Sequence, residues 1–226
     1  MSPDQSRWRR PEPSFARAVT KALGDARTVL DVAPGAVSYT PTDRETTPVE
    51  VTAGDVPFVA GAFDAAVITV DVVGCSDPER VFAEVRRVTR GPVVVVTHDP
   101  DRVQDSWLTE YAPEVTAAEA RRYPALDRIA TALGGAVETT RLPIPFTCVD
   151  GFSEAYYARP ERLLDPGARL ADPAWSAVDE LTARRSVTAL RDALESGEWD
   201  RRHGSLRVRP SYDGSLVLLR GMPRPA

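Results

Sequence analysis

The stretch Val29-Leu30-Asp31-Val32-Ala33-Pro34-Gly35-Ala36-Val37-Ser38-Tyr39-Thr40 sets the fold class of this chain. The mostly apolar run Thr28–Val32 predicts a short buried strand, with Asp31 near its end. Pro34 and Gly35 then predict a turn and not a helix. Because glycine carries no side chain, such a turn lets the backbone approach a ligand closely, which makes it a candidate binding loop.

Helix and strand signals alternate on both sides of this loop. Pro13–Leu23 predicts an amphipathic helix that ends at Gly24, and residues 48–51 predict a short strand. Residues 65–70 and 92–97 are continuous apolar runs, typical of parallel strands that are covered on both faces. A strongly marked helix lies between these two runs, so together they predict a right-handed βαβ unit.

The second half of the chain is predicted to be mainly helical and rich in aromatic residues. We expect one domain spanning all 226 residues, in which segments 101–134 and 143–197 form a small helical and aromatic lid. The runs 206–208 and 215–219 flank Asp213-Gly214, which is a strong signal for a β-hairpin.

The composition excludes several classes of partner. A net charge of −5 argues against nucleic acid, since a phosphate backbone needs a basic surface. No apolar run approaches the roughly 20 residues that span a bilayer, so no membrane partner is expected. Cys75 and Cys148 form no metal or redox motif, so no metal site is expected, and a reducing cytoplasm is the expected location.

The order of these elements resembles the class I S-adenosylmethionine (SAM)-dependent methyltransferases, and most of all the small bacterial type-11 group. Phe63-Asp64-Ala65-Ala66-Val67 looks like the start of the family's fourth strand, and residues 91–97 look like its fifth. The resemblance implies an α/β, doubly wound, Rossmann-like, mostly parallel sheet whose last strand runs antiparallel. It also implies SAM as cofactor and a small-molecule substrate, and it leaves open whether the chain forms a homodimer.

The resemblance implies that the cofactor is held by Asp31, Ala33, Gly35 and Glu50. In the family, glycines alternate after the acid; here Gly35 matches, while Ala33 and Val37 stand at glycine positions. Glu50 matches the acid that holds the ribose hydroxyls. The plainer interpretations are that Asp31 only caps the loop and that Glu50 is a solvated edge residue.

The cofactor region is also shorter than the family pattern. The family places a helix and a third strand between the second and fourth strands. Here Gly35 and Asp64 are 29 positions apart, which leaves no room for that helix. The missing segment helps to wall the adenine in the family, so a more open adenine site is expected.

Two titratable residues follow buried strands and are candidate catalytic groups. Asp71 and His98 come after the apolar runs 65–70 and 92–97, at the edge where open α/β sheets bind ligands. Either side chain could serve as a general base. The alternatives are a turn residue for Asp71 and a loop histidine for His98.

Aromatic residues of the predicted lid are candidate substrate contacts. A lid of this composition suits an apolar small molecule, although most of these rings could equally form the core of the lid. The candidates are Trp107, Tyr111, Tyr156 and Tyr157.

Three functions are compatible with these patterns. The first is a SAM-dependent methyltransferase that acts on a small molecule. The second is an enzyme on the same fold that does not methylate and catalyses cyclisation, isomerisation or hydrolysis. The third is a non-catalytic protein. The retained Asp31, Gly35 and Glu50 favour the first, and the lost glycines favour the other two, with SAM binding itself lost in some of these cases.

Overall fold

The computed structural model describes residues 7–32, 37–51, 55–69 and 77–224, whose packing divides the chain into two units. The sheet unit comprises Pro13–Asp99, Arg122–Leu142 and Leu216–Ala226. The helical unit comprises Met1–Glu12, Pro100–Arg121 and Pro143–Ser215. Residues 122–134 of the expected lid therefore pack with the sheet unit.

Six strands of the described residues form one sheet, in the order β2-β1-β3-β4-β8-β5. Its strands are β1 (Thr28–Val32), β2 (Glu45–Val49), β3 (Ala65–Thr69), β4 (Val93–His98), β5 (Ala136–Arg141) and β8 (Leu216–Met222). A separate pair in the helical unit consists of β6 (Ile144–Pro145) and β7 (Ser211–Tyr212). β1 to β4 pair in parallel, and β8 pairs antiparallel with both β4 and β5. The Rossmann-like sheet with an antiparallel last strand is confirmed.

Helices flank the sheet and build most of the helical unit. The sheet unit contains α1 (Pro13–Leu23), α2 (Pro78–Val88) and α5 (Leu126–Leu133). The helical unit contains α3 (Pro100–Gln104), α4 (Pro113–Ala120), α6 (Pro166–Leu170), α7 (Pro173–Ser176), α8 (Glu180–Glu195) and α9 (Glu198–His203). Short 3-10 helices join them at Trp107–Glu110, Ser153–Tyr156, Pro160–Leu164 and Gly204–Val208.

The core of the sheet unit explains why its central strands are apolar without alternation. On one face, Leu30 and Ile68 pack with Phe82 of α2 and Ile129 of α5. Residues of β1 and β3 whose side chains point to the opposite face are also buried, so both faces of each strand are covered. Phe15, Val19 and Leu23 are buried on the apolar stripe of α1, which confirms the predicted helix and its end at Gly24, where φ is +61°.

Asp64 joins the starts of β1 and β3. Its carboxylate accepts hydrogen bonds from the backbone N–H groups of Arg27 and Thr28, each at 3.0 Å, and forms an ion pair with Arg90 at 2.6 Å. These hydrogen bonds hold the pKa of Asp64 well below its usual range. The Asp64 carbonyl accepts in turn from the Gly91 N–H at 2.9 Å, which ties the start of β4 to the same point.

Two sequence predictions are wrong in detail. The strand predicted at 48–51 is β2, Glu45–Val49, because its polar, threonine-rich half pairs with β1 along an exposed sheet edge. The hairpin predicted across Asp213-Gly214 is absent from the described residues. β7 pairs instead with β6, and β8 enters the sheet between β4 and β5. Residues 204–208 form a 3-10 helix and not a strand.

Replacing Gly91 by alanine is expected to destabilise the sheet unit by about 1–3 kcal/mol. A Cβ at Gly91 would lie 2.4 Å from the Asp64 carbonyl oxygen, so the backbone of one strand must move. Urea unfolding measures the change in the free energy of unfolding. The matched control is Gly204→Ala, whose Cβ would meet nothing closer than 3.9 Å. Equal stability of the two variants would contradict this account of the strand junction.

Candidate functional site

The carboxyl ends of the parallel strands bring the candidate cofactor residues to one edge of the sheet. Val32 of β1 lies opposite Val49 of β2 and Ile68 of β3. Asp31 therefore precedes this level by one residue on β1. Glu50 follows it by one residue, directly after β2. Open α/β sheets bind ligands outside this edge, which makes it the candidate site.

Asp31 is a buried carboxylate at this edge, with only 5% of its surface exposed. Its Oδ2 accepts a hydrogen bond from the Ser38 hydroxyl at 2.8 Å. Burial raises the pKa of Asp31, and the nearby hydroxyls of Ser38 and Thr40 oppose that rise. Neither Asp31 Oδ1 nor Thr40 Oγ1 has a hydrogen-bond partner among the described residues. One acceptor of a buried acid is thus left for a ligand or for the adjoining loop.

Buried apolar residues and polar residues alternate along 37–40, the segment that contacts Asp31. Val37 and Tyr39 are buried, with 5% and 4% exposed, and the Tyr39 ring packs edge-on against Phe15 of α1 at 5.8 Å. Ser38, between these two residues, donates its hydroxyl hydrogen to the carboxylate, and the Thr40 N–H donates to Ser38 Oγ at 3.2 Å. Sequence reasoning missed Ser38, although the apolar-polar alternation of this segment carries the signal.

Of the remaining predicted cofactor and catalytic residues, the structure describes Glu50 and His98, which lie along the same edge. Glu50 is exposed and follows directly after β2. Ala33, Gly35 and Asp71 lie outside the described residues. His98 ends β4 and is partly buried, so the described part of the edge carries an exposed acid, a buried acid and an imidazole.

The His98 ring is packed and not freely solvated. Its centroid lies 4.9 Å from that of Tyr123, with the two planes inclined by 35°. Thr69 ends β3 at the same edge of the sheet. Its buried Oγ1 has no hydrogen-bond partner within the described ranges. A histidine held by an aromatic neighbour has a fixed ring position, which a general base requires.

The four aromatic substrate candidates are all buried within the helical unit, each with 7% or less exposed. Trp107 packs edge-on against Trp199 at 5.9 Å, and Tyr111 lies 6.1 Å from His203, itself bonded to Glu110 at 2.8 Å. Burial raises the pKa of Tyr111 to about 12. These rings form the core of the helical unit.

Tyr156 and Tyr157 are adjacent, yet both are buried. The Ser153–Tyr156 turn is a 3-10 helix, so successive side chains find separate neighbours. Tyr157 stacks on Tyr212 at 5.2 Å and donates its hydroxyl hydrogen to the Arg209 carbonyl at 3.1 Å. Burial raises the pKa of Tyr156 to about 12.

Solved structures of other proteins share the fold of this chain. No protein-family model matches the sequence, and no curated protein matches it. A candidate methyltransferase from an antibiotic biosynthesis pathway of Anabaena variabilis is 20% identical, with a TM-score of 0.81, over 96% of this chain and 99% of the other. The YcgJ protein of Bacillus subtilis is 17% identical over 94% and 99% of the two chains, with a TM-score of 0.51. A candidate methyltransferase of Bacillus halodurans is 14% identical over 93% and 99%, with a TM-score of 0.50. The class I methyltransferase fold predicted from the sequence is confirmed.

Neither a metal cluster nor a membrane-spanning helix is found among the described residues. No group of three or more His, Cys, Asp or Glu side chains in these residues could hold a metal ion. None of the described helices is both long enough and apolar enough to cross a bilayer.

Among the buried carboxylates of the helical unit, Glu154 has the largest raised pKa and was not singled out from the sequence. Glu154 is buried, and its Oε2 accepts from the Ser215 N–H at 2.9 Å and from the Ser215 hydroxyl at 2.7 Å. Gly214 leaves room for it, since a Cβ there would lie 2.7 Å from Oε2. Arg102, which donates to the Gly214 carbonyl at 2.9 Å, attracts the carboxylate, while Asp172 adds a repelling charge. Burial raises the pKa of Glu154 from 4.5 to about 7.

This pKa predicts that the protein becomes less stable as the pH rises through about 7. A folded-state pKa above the unfolded value means that the folded chain favours protonated Glu154. That stabilising contribution is complete below about 4.5 and is lost progressively as the pH rises from there through about 7, up to about 3 kcal/mol in total. Urea unfolding at pH 5.5 and 8.0 measures it.

Glu154→Gln should flatten this dependence, because glutamine carries no charge at either pH. Glu195→Gln, an exposed substitution at the end of α8, serves as the control and should keep the slope of the parent protein. Identical pH profiles for the parent protein and Glu154→Gln would overturn the assignment.

Proposed function

We propose that this chain binds SAM at the carboxyl edge of β1 and β2 and transfers its methyl group to a small molecule. The observation that carries the proposal is the pair of acids at this edge: buried Asp31 with an unpartnered Oδ1, and exposed Glu50 on the next strand. The confirmed fold adds support, since two of the similar structures are described as candidate methyltransferases.

The residues present fit the cofactor. Asp31 Oδ1 is a buried acceptor without a partner in the described ranges, which suits an ammonium group such as that of the methionyl part of SAM. The Glu50 carboxylate can accept hydrogen bonds from two adjacent hydroxyls, as on a ribose. Because no described strand lies outside β2, Glu50 stands at an open edge of the sheet.

The protein's own part in the reaction is mainly to hold and orient. When bound, SAM supplies the methyl group. Ser38 fixes the Asp31 carboxylate through Oδ2, and Asp31 and Glu50 would hold the ammonium group and the ribose hydroxyls of the cofactor. His98, held against Tyr123, is the candidate that takes up a proton from the substrate, and Asp71 stays a second candidate outside the described residues. Holding two reactants in line supplies much of the rate in such reactions.

The class of substrate follows from charge and from the helical unit. The net charge of −5 disfavours nucleic acid, so the acceptor is a small molecule. Trp107, Tyr111, Tyr156 and Tyr157 stay the candidate substrate contacts, although each is buried within the helical unit.

One observation favours the alternative of an enzyme on this fold that does not methylate. Val37 replaces a glycine of the family pattern, and its side chain is buried, with 5% exposed. A branched side chain at that point fills volume next to the loop that the cofactor would approach. SAM binding without methyl transfer would support this alternative.

Calorimetric titration with SAM is expected to show binding that Glu50→Gln weakens about tenfold or more. Losing the charge of a hydrogen-bonding carboxylate typically removes about 1.5–3 kcal/mol. The matched control is Glu45→Gln, an exposed carboxylate at the opposite end of the same strand, which should change the affinity less than twofold. Absence of binding at millimolar SAM would sink the proposal.

Ser38→Ala is expected to raise the Kd for SAM about three- to tenfold, because the Asp31 carboxylate loses the hydrogen bond that orients it. Ser38→Thr keeps the hydroxyl and should restore most of the affinity. If alanine and threonine bind SAM equally well, Ser38 has no orienting role.

A further inference from the structure

The helical unit carries a groove whose lining includes three arginines. Its volume is about 440 Å³, and α8 supplies one wall with residues spaced three and four apart. Arg169, at the end of α6, supplies the other. The lining residues are Arg169, Glu180, Ala183, Arg184, Val187, Thr188 and Arg191.

The charges that face this groove do not balance. Glu180 pairs with Arg184 at 2.5 Å, and Asp165, which caps α6, lies near Arg169. Arg191 forms no ion pair with any residue that the structure describes. The lining therefore presents three guanidinium groups to one carboxylate.

Arg169 and Arg191 repel each other across the groove. Arg169 is partly buried, donates to the Leu163 carbonyl at 2.5 Å and lies over the Trp175 ring at 5.8 Å, so it is not free to swing away. Burial lowers the pKa of Arg169; the charge of Asp165 opposes this shift, and the charge of Arg191 adds to it. An anion between the two groups would relieve this repulsion.

We infer that the groove formed by α6 and α8 binds the phosphate group of a small molecule, held between Arg169 and Arg191. Guanidinium groups bind phosphate oxygens in pairs of parallel hydrogen bonds, and Thr188 adds a hydroxyl donor between them. A soluble phosphorylated molecule and a lipid headgroup both present such a group.

Calorimetric titration of the full chain with inorganic pyrophosphate at constant ionic strength tests the site. The expected result is saturable binding that Arg191→Gln weakens at least tenfold. Arg185→Gln is the matched control, because Arg185 lies on the same helix but pairs with Glu114 at 3.8 Å, away from the groove, and should change the affinity less than twofold. Equal losses in both variants would reduce the effect to general surface charge and overturn the proposal.

Vesicles distinguish the two sources of phosphate. If the ligand is a lipid headgroup, the protein should sediment with phosphatidylglycerol vesicles but not with phosphatidylcholine vesicles, and Arg191→Gln should abolish this. Binding of pyrophosphate without vesicle binding assigns a soluble phosphate. Binding to neither probe contradicts the site.

Discussion

The buried Asp31 carboxylate is the constraint around which the edge of the sheet is arranged. A carboxylate removed from water destabilises the fold unless hydrogen bonds replace its lost hydration. The chain supplies one such bond by bringing Ser38 back across the end of β1. That return is possible because Val37 and Tyr39 are buried on either side of Ser38 and Tyr39 packs on Phe15. Asp31 Oδ1 is left without a hydrogen-bond partner among the described residues.

Much of the fold followed from the sequence because its elements are governed by local patterns. The stripe of α1 and the apolar runs of β1, β3 and β4 are strong periodic signals, and the structure contains all of them. The hairpin across Asp213-Gly214 failed because a local turn signal cannot reveal a distant partner. Glu154, some 60 residues earlier in the chain, bonds Ser215 and sets that turn.

The candidate site was only partly accessible to the same reasoning. Asp31 and Glu50 were found by resemblance, and the parallel register of β1 and β2 explains why they share an edge. Ser38 was missed because hydroxyl side chains in loops are common and carry no periodic signal of their own. The aromatic residues of the lid are buried in the helical unit, and sequence alone does not separate core rings from substrate contacts.

The central claim is that SAM binds at this edge although two loop glycines are replaced. A crystal structure of the chain grown with S-adenosylhomocysteine tests it directly. The account predicts ligand density beyond the ends of β1 and β2, with the ribose hydroxyls on Glu50 and the amino group on Asp31 Oδ1. Density elsewhere, or none at a ligand concentration of several millimolar, would contradict it and direct attention to a reaction at His98 that does not use this cofactor.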